Sequence, residues 1–169
     1  MLVNEPLVRS TMEKAKKLGL KVALDLSNFN IVNAFKGMLE DIIPKYVDIL
    51  FSNESEAEAF TGQKAAEAVH TLSELVEVSL VTLGKEGALI GSHGQFYSVP
   101  AEGGKPVDTT GAGDNFAAGF LYGQSIGASL VQSARIGSML AGYVIDVVGP
   151  EIPYDKWEKI KLKVKGILA

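Results

Sequence analysis

Asp108-Thr109-Thr110-Gly111-Ala112-Gly113-Asp114-Asn115-Phe116 is the stretch on which the reading of this chain turns. It predicts a glycine-bounded turn opening an apolar helix near Ala112. The amides of Ala112, Gly113 and Asp114 fall in the first helical turn, where N–H groups have no intrahelical partner. They are predicted to face one point beyond the helix end, where the macrodipole favours negative charge. Asp114 adds a carboxylate beside them. Donors that hold anionic charge, next to a group able to take a hydroxyl proton, suit phosphoryl chemistry. The competing reading is an ordinary glycine turn with a capping aspartate. Gly-Ala-Gly-Asp alone does not separate the two; the Asp-Thr-Thr prefix and the small-residue helix behind it favour the chemical one.

Outward from this stretch, the chain reads as alternating helices and strands. Asn4 can cap a helix with Pro6 in its first turn, running to Leu18 and stopped by Gly19. Strands are predicted at Lys21 to Leu26, Val47 to Phe51 and Val78 to Leu83. The near-continuous apolar runs fit strands buried on both faces of a parallel sheet. Between them fall a helix through Phe35, Met38, Leu39 and Ile42 that ends around Pro44, a short helix from Glu54 to Phe60, and another from Gln63 to Val76. Gly87 to Gly91 and Gln95 to Val99 form the arms of a hairpin turned at Ser92-His93-Gly94. Ala112 to Ser125 and Ser129 to Val147 are helices whose glycines and alanines permit close backbone approach. Tyr154 to Leu168 is the last helix, with Trp157, Ile160 and Val164 on its apolar face. The order predicts an α/β fold, a mostly parallel sheet with helices on both faces. Ligands of such sheets gather outside the carboxyl ends of the strands. Those ends lead into Asn28, into Asn53 and Glu56, and into Gly84, so one edge is predicted to collect them within reach of the Gly111 loop.

The bulk properties narrow the function. A chain of 169 residues fits a single domain, residues 1–169. A net charge of −4 makes it no general binder of nucleic acid or membrane. The absence of cysteine rules out disulfides, thiolate metal sites and cysteine nucleophiles. No apolar run is long enough to predict a transmembrane helix, and no secretion leader is read at the start, so a cytoplasmic location is expected. The C-terminal lysines fit the wet face of a helix.

Two further motifs each have two readings. Asn53 and Glu56 lie three apart at a helix start and share a face. They could hold hydrated Mg²⁺, which keeps several waters and needs few protein ligands. Read locally, an N-cap with acidic residues in the first turn explains them as well, and the residues alone favour it. Thr82-Leu83-Gly84-Lys85-Glu86-Gly87 is either a plain turn between strands or a loop whose glycines let a nucleotide approach the backbone. No Walker loop is present: Gly103-Gly104-Lys105 is followed by Pro106 and lacks the earlier glycine. Nor does a dinucleotide fingerprint exist, because Phe116 stands where its third glycine belongs, which disfavours an oxidoreductase. His70 and His93 are isolated and predict no metal site or triad.

Together Asn53-x-x-Glu56, Thr82-x-Gly84-x-x-Gly87 and Asp108-Thr-Thr-Gly-Ala-Gly-Asp114 resemble, in order, the motifs of the ribokinase-like (PfkB) family of sugar and nucleoside kinases. Tyr143-Val-Ile-Asp-Val-Val-Gly149-Pro150 and Asp48-Ile-Leu-Phe-Ser-Asn53-Glu54 lean toward its adenosine-kinase-like branch. The resemblance implies a three-layer αβα fold. It implies Asp114 as catalytic base, with Gly111, Ala112, Gly113 and the Asp114 amide as the anion hole for the transferring group. Asn53 and Glu56 would position Mg²⁺ and the ATP phosphates through water, and Thr82, Gly84 and Gly87 would lie along the ATP. Asp108 and Thr110, with the backbone near Val147 and Gly149, resemble the family's monovalent-cation site, which takes K⁺. Asn28 lies where some relatives approach the nucleotide, although Asp25-Leu-Ser-Asn28 departs from the commoner patterns.

Members of that family are about twice as long. This chain corresponds to their C-terminal half, without the lid sheet and most substrate contacts. The strand at Lys21 is then expected to be an exposed edge, and the chain to self-associate or to pair with a separate N-terminal half. Its partner would be a small sugar or nucleoside. The alternative is a truncated, non-catalytic nucleotide-binding or interaction module.

Overall fold

The computed structural model describes residues 4–103 and 106–169, so the expectation about Gly104 and Lys105 lies outside the described residues. The chain divides into two compact units. The first runs to Leu83 and adds Leu89–Tyr97; the second comprises Gly84–Ala88 and Ser98–Ala169.

In the first unit, α1 (Glu5–Lys17) opens on Asn4, whose side chain accepts the Leu7 amide with Pro6 in the first turn, as predicted. Gly19 follows the helix at φ 71°, a left-handed conformation that suits glycine. Strand β1 is only Ala23–Asp25, shorter than the predicted span. Val22 upstream is already tied to Asp48, whose carboxylate accepts the Val22 amide at 2.7 Å. Downstream, Ser27 turns to φ 66° and donates its amide to the Asp25 carboxylate, which ends the strand.

The predicted helix around Phe35 is two helices, α2 (Phe29–Ala34) and α3 (Lys36–Tyr46). They break at Phe35, where φ is −120°. Pro44 does not end α3 but sits in its last turns. Proline removes one helical donor, yet Ile42 and Ile43 are fully buried there and the Val47 amide closes the final turn onto Ile43. Tertiary packing overrides the local signal.

Strands β2 (Ile49–Asn53) and β3 (Val78–Thr82) flank α4 (Glu54–Thr61) and α5 (Ala65–Ser73). β1 pairs with β2 and β2 with β3, both parallel, with Asp25 opposite Phe51 and Asn53 opposite Thr82. Both β2 and β3 bury four consecutive residues, the mark of strands covered on two faces. The apolar core here joins Val8 and Met12 of α1, Ile42 and Ile43 of α3, Phe60 of α4 and Leu72 of α5 to Leu24 and Leu50 of the sheet. β4 (Ala88–Ser92) and β5 (Gln95–Val99) complete the sheet in the order β1-β2-β3-β4-β5. His93 and Gly94 both take positive φ at the hairpin turn, as the tight connection of twisted strands requires.

The second unit centres on α6 (Ala112–Ser125), α7 (Leu130–Val144) and α8 (Trp157–Leu168), the last preceded by a single 3-10 turn at Tyr154–Lys156. Ser129 and Gln132 form a capping box at the start of α7. The small residues let α6 and α7 touch backbone to backbone: a Cβ on Gly119 would lie 2.7 Å from the Gly137 Cα. Ile160 and Ile167 of α8 pack with Ile136, Met139 and Val144 of α7. Trp157, placed on the apolar face from the sequence, is exposed instead.

Candidate active site

The turn before α6 is built by Asp108. Its Oδ1 accepts the Thr110 amide at 2.9 Å and the Thr110 hydroxyl at 2.7 Å. Its Oδ2 accepts the Gly149 amide at 2.9 Å. The Gly149 amide, then the Thr110 amide and hydroxyl, hold this carboxyl below the ordinary carboxylate range. The Val107 amide donates to the Ile145 carbonyl, so residues before the turn are fixed to the end of α7. Gly111 is the N-cap at φ 78°, and a Cβ there would also press on Pro150, 2.8 Å from its Cβ. Glycine is therefore required twice over at this position. Asn115 closes the turn, its Nδ2 donating to the Gly111 carbonyl at 2.9 Å and to the Pro150 carbonyl at 3.3 Å.

The helix mouth that results differs in one amide from the sequence reading. The Ala112 N–H, predicted free, donates to the Thr109 carbonyl at 3.2 Å, a 3-10-type contact that tightens the first turn. The amides of Gly113 and Asp114 have no hydrogen-bond partner among the described residues. Asp114 is exposed and its carboxylate has no hydrogen bond or ion pair among them. Two aspartates of one motif thus stand in opposite conditions: Asp108 is tied down by three hydrogen bonds, and Asp114 is exposed and unpartnered among the described residues.

The first unit carries the other predicted group. The carboxyl ends of β1, β2 and β3 bring Asp25, Asn53 and Thr82 to one sheet edge. Asn53 and Glu56 form a full capping box. Asn53 Oδ1 accepts the Glu56 amide at 2.9 Å, while the Asn53 amide and Nδ2 donate to the two Glu56 oxygens at 2.9 and 2.7 Å. Glu56 is 4% exposed. Burial pushes its carboxyl above the ordinary range against the Asn53 amide, and the neighbouring Asp25 charge pushes the same way. The Asn53-Glu56 pattern is therefore at least the local cap that the residues alone favour. Each Glu56 oxygen takes one hydrogen bond and keeps a further lone pair, so the carboxylate still fits a cation held through water. Among the described residues no group of three His, Cys, Asp or Glu is disposed to hold a metal directly. A hydrated Mg²⁺, which needs few protein ligands, is compatible with that set.

Thr82 points its hydroxyl at the Ser52 carbonyl, 3.4 Å away, and Asn28 caps α2 through the Asn30 amide. Gly84 and Gly87 belong to the second unit. They frame a 3-10 turn and take φ 54° and 102°. A Cβ on Gly87 would collide with the Val99 carbonyl, so a close chain crossing already requires that glycine. His70 lies against Phe96 with ring centroids 3.6 Å apart and planes tilted by 42°. The sequence reading missed two things. The Asp108–Gly149 and Asn115–Pro150 contacts join distant residues and carry no local signal. The charge of Asp25 beside Glu56 follows from strand register, which spacing alone does not give. No helix among the described residues is long and apolar enough to cross a membrane.

Comparison with known proteins gives concordant results. The family profile described as pfkB family carbohydrate kinase matches residues 3–157. The chain is similar to adenosine kinase of Saccharomyces cerevisiae, 34% identical over 158 residues that cover 85% of this chain and 46% of that protein. Its structure is similar to that of adenosine kinase from Sinorhizobium meliloti, with a TM-score of 0.86 and 31% identity over 93% of this chain and 49% of that one. It is also similar to Arabidopsis thaliana ribokinase complexed with ribose and ATP, with a TM-score of 0.77 and 28% identity over 95% and 52%. The chain thus spans about half the length of the relatives it matches.

Proposed function

Because the chain belongs to the pfkB family of carbohydrate kinases and has its three-layer αβα ribokinase-like fold, we propose that residues 1–169 act as one nucleotide-binding, catalytic portion of an ATP-dependent kinase for a small sugar or nucleoside. The observation that carries this reading is the α6 mouth: two amides, Gly113 and Asp114, and an exposed carboxylate, all without a partner among the described residues. Asp114 orients the acceptor hydroxyl and takes its proton as the oxygen forms its bond to the γ-phosphorus. The bond from that phosphorus to the bridging oxygen breaks and ADP leaves. Gly111, by its left-handed turn, aims the Gly113 and Asp114 amides at the transferring group, and Ala112 holds that turn through Thr109. Phosphoryl transfer of this kind depends on positioning and on charge neutralisation.

Asn53 and Glu56, with the Asp25 charge nearby, would hold a hydrated Mg²⁺ through water. The ion supplies neutralisation of phosphate charge. Thr82, Gly84 and Gly87 line the nucleotide. Asp108 and Thr110 would support a K⁺ site: Asp108 retains lone pairs beyond its three hydrogen bonds, and the Thr110 oxygen, which only donates to Asp108, remains an acceptor. The reaction takes place in the cytoplasm and involves neither nucleic acid nor membrane.

The alternative is a non-catalytic nucleotide-binding or interaction module, in which the α6 mouth holds phosphate and no acceptor is oriented against Asp114. Calorimetry with Mg-ATP followed by coupled ADP release across sugars and nucleosides separates the two. The kinase reading expects binding and turnover, with turnover in Asp114→Asn lowered at least about 10²-fold, the usual contribution of a general base. Binding without turnover supports the module, and undiminished turnover in Asp114→Asn refutes the role given to that residue.

A further inference from the structure

The Gly111–Ala112 peptide unit is held at both of its polar ends. Its carbonyl accepts the Asn115 amide at 2.9 Å, the ordinary helical bond that any residue but proline supplies. The same carbonyl accepts the Asn115 Nδ2 at 2.9 Å, a bond that belongs to the side chain. The N–H end of the unit, that of Ala112, donates to the Thr109 carbonyl at 3.2 Å. A peptide unit is planar, so bonds at its opposite ends fix its tilt. The Gly113 and Asp114 amides follow in the same helical turn, and their direction is set from this unit. Gly111 is the joint that needs such a tie: φ is 78° there, and glycine restricts its own backbone least.

Asn115 also reaches in a second direction. Its Nδ2 donates to the Pro150 carbonyl at 3.3 Å. Both partners are carbonyl oxygens, so the NH₂ end of the amide faces them and its two N–H groups serve one each. Gly111 lies between the two: an added Cβ would stand 2.8 Å from the Pro150 Cβ and 3.5 Å from the Asn115 Nδ2. One residue earlier, the Gly149 amide donates to Asp108 at 2.9 Å. The segment after α7 is thus gripped at consecutive residues, by an acceptor from Asp108 and a donor from Asn115. Asparagine is a weaker helix former than alanine, which stands at Ala117 and Ala118 of the same helix. The two side-chain bonds, rather than propensity, account for asparagine at position 115.

We propose that Asn115 is a positioning residue of the phosphate-binding turn: its side chain ties the Gly111 carbonyl to the Pro150 segment and so keeps the Gly113 and Asp114 amides aimed at the transferring group. The inference rests on the kinase reading above, in which those amides meet the phosphate. Asn115 acts through the backbone and not on the reacting atoms. Without its side chain Gly111 is free to swing, and the two amides spend part of their time aimed away from the anion.

The test compares the full chain with Asn115→Ala and Asn115→Ser, each titrated with Mg-ATP and followed by its backbone amide resonances. Serine is the rescue. In a helix its hydroxyl can donate to the carbonyl four residues back, which from position 115 is that of Gly111. It restores the bond to Gly111 and not the one to Pro150. Asn115→Ala should weaken Mg-ATP about tenfold, the scale of one hydrogen bond to a charged group. In the nucleotide-free chain, nitrogen relaxation should show its Gly113 and Asp114 amides more mobile than the parent's. Asn115→Ser should bind within about threefold of the parent, since the Gly111 bond is kept. Helix stability orders the two variants the other way, because alanine is the better helix former and serine back-bonding slightly destabilises a helix. Melting curves of both therefore separate a general loosening from a loss of aim. An Asn115→Ala chain that binds as tightly as the parent, or an Asn115→Ser chain that binds no better than Asn115→Ala, would overturn the positioning role alone. A parent chain that saturates with Gly113 and Asp114 unmoved, or does not bind, would overturn the kinase reading and this inference with it.

Discussion

Asp108 and Asp114 differ by their partners and so by what their loss should do. Asp108 receives three hydrogen bonds that join Thr110 and Gly149. Asp108→Ala releases the loop at Gly149 and should lower the melting temperature and weaken Mg-ATP together, read by differential scanning fluorimetry and calorimetry. Asp114 is exposed and makes no hydrogen bond or ion pair among the described residues, so Asp114→Asn should cost no more than the about 0.3–1 kcal/mol of its interaction with the α6 dipole while removing turnover. A large loss of stability in Asp114→Asn would mean that it holds the fold instead. This asymmetry was half legible in the sequence. The glycines and aspartates of Asp108–Asp114 announce a turn and a helix mouth because their backbone preferences are local. Which aspartate is tied and which is free depends on Gly149, far along the chain, and no spacing rule reveals that contact. The same holds for Ala112, whose amide was read as free and is turned onto Thr109.

At the scale of elements, the helices whose ends carry strong capping signals were placed well: α1 with Asn4, α4 with Asn53, α7 with Ser129 and α6 with Gly111. The break at Phe35 and the continuation of α3 through Pro44 were not legible, because burial of Ile42 and Ile43 decides them. The α6–α7 seam makes a quantitative prediction. Gly119→Ala drives a methyl group onto the Gly137 backbone and should cost about 1–3 kcal/mol in urea unfolding, the usual range for overpacking. A loss within error of zero would mean that the seam is looser than described.

The base of the sheet makes another prediction. Burial pushes the Asp48 carboxyl upward, but the Lys16 hydrogen bond at 2.6 Å, the Val22 amide and the charges of Lys16 and Lys21 outweigh it and hold it below its ordinary value. A depressed folded-state pKa contributes stability above the unfolded value, about 3.9, and loses it as pH falls through the folded value. Urea midpoints should therefore fall steeply below about pH 4, and Asp48→Asn should flatten that acid limb and lower the midpoint at neutral pH. An unchanged acid limb would remove Asp48 from the account.

At the scale of the whole molecule, β1 is the first strand of the sheet order, and Leu7, Leu18, Leu20 and Phe29 are exposed in the same unit. A short edge strand near apolar side chains is a template for pairing with another chain. Sedimentation at rising concentration should show self-association; an ideal monomer across the range would contradict it. The fold class was readable from strand–helix alternation and from three motifs in order. The identity of an acceptor was not, since none of the three motifs depends on it. The central claim is that nucleotide phosphates sit on the α6 mouth, and the most direct measurement is an amide-resolved titration of the full chain with Mg-ATP. The account predicts saturable shifts at Gly113 and Asp114; saturation that leaves both amides unmoved, or no binding at all, would contradict it.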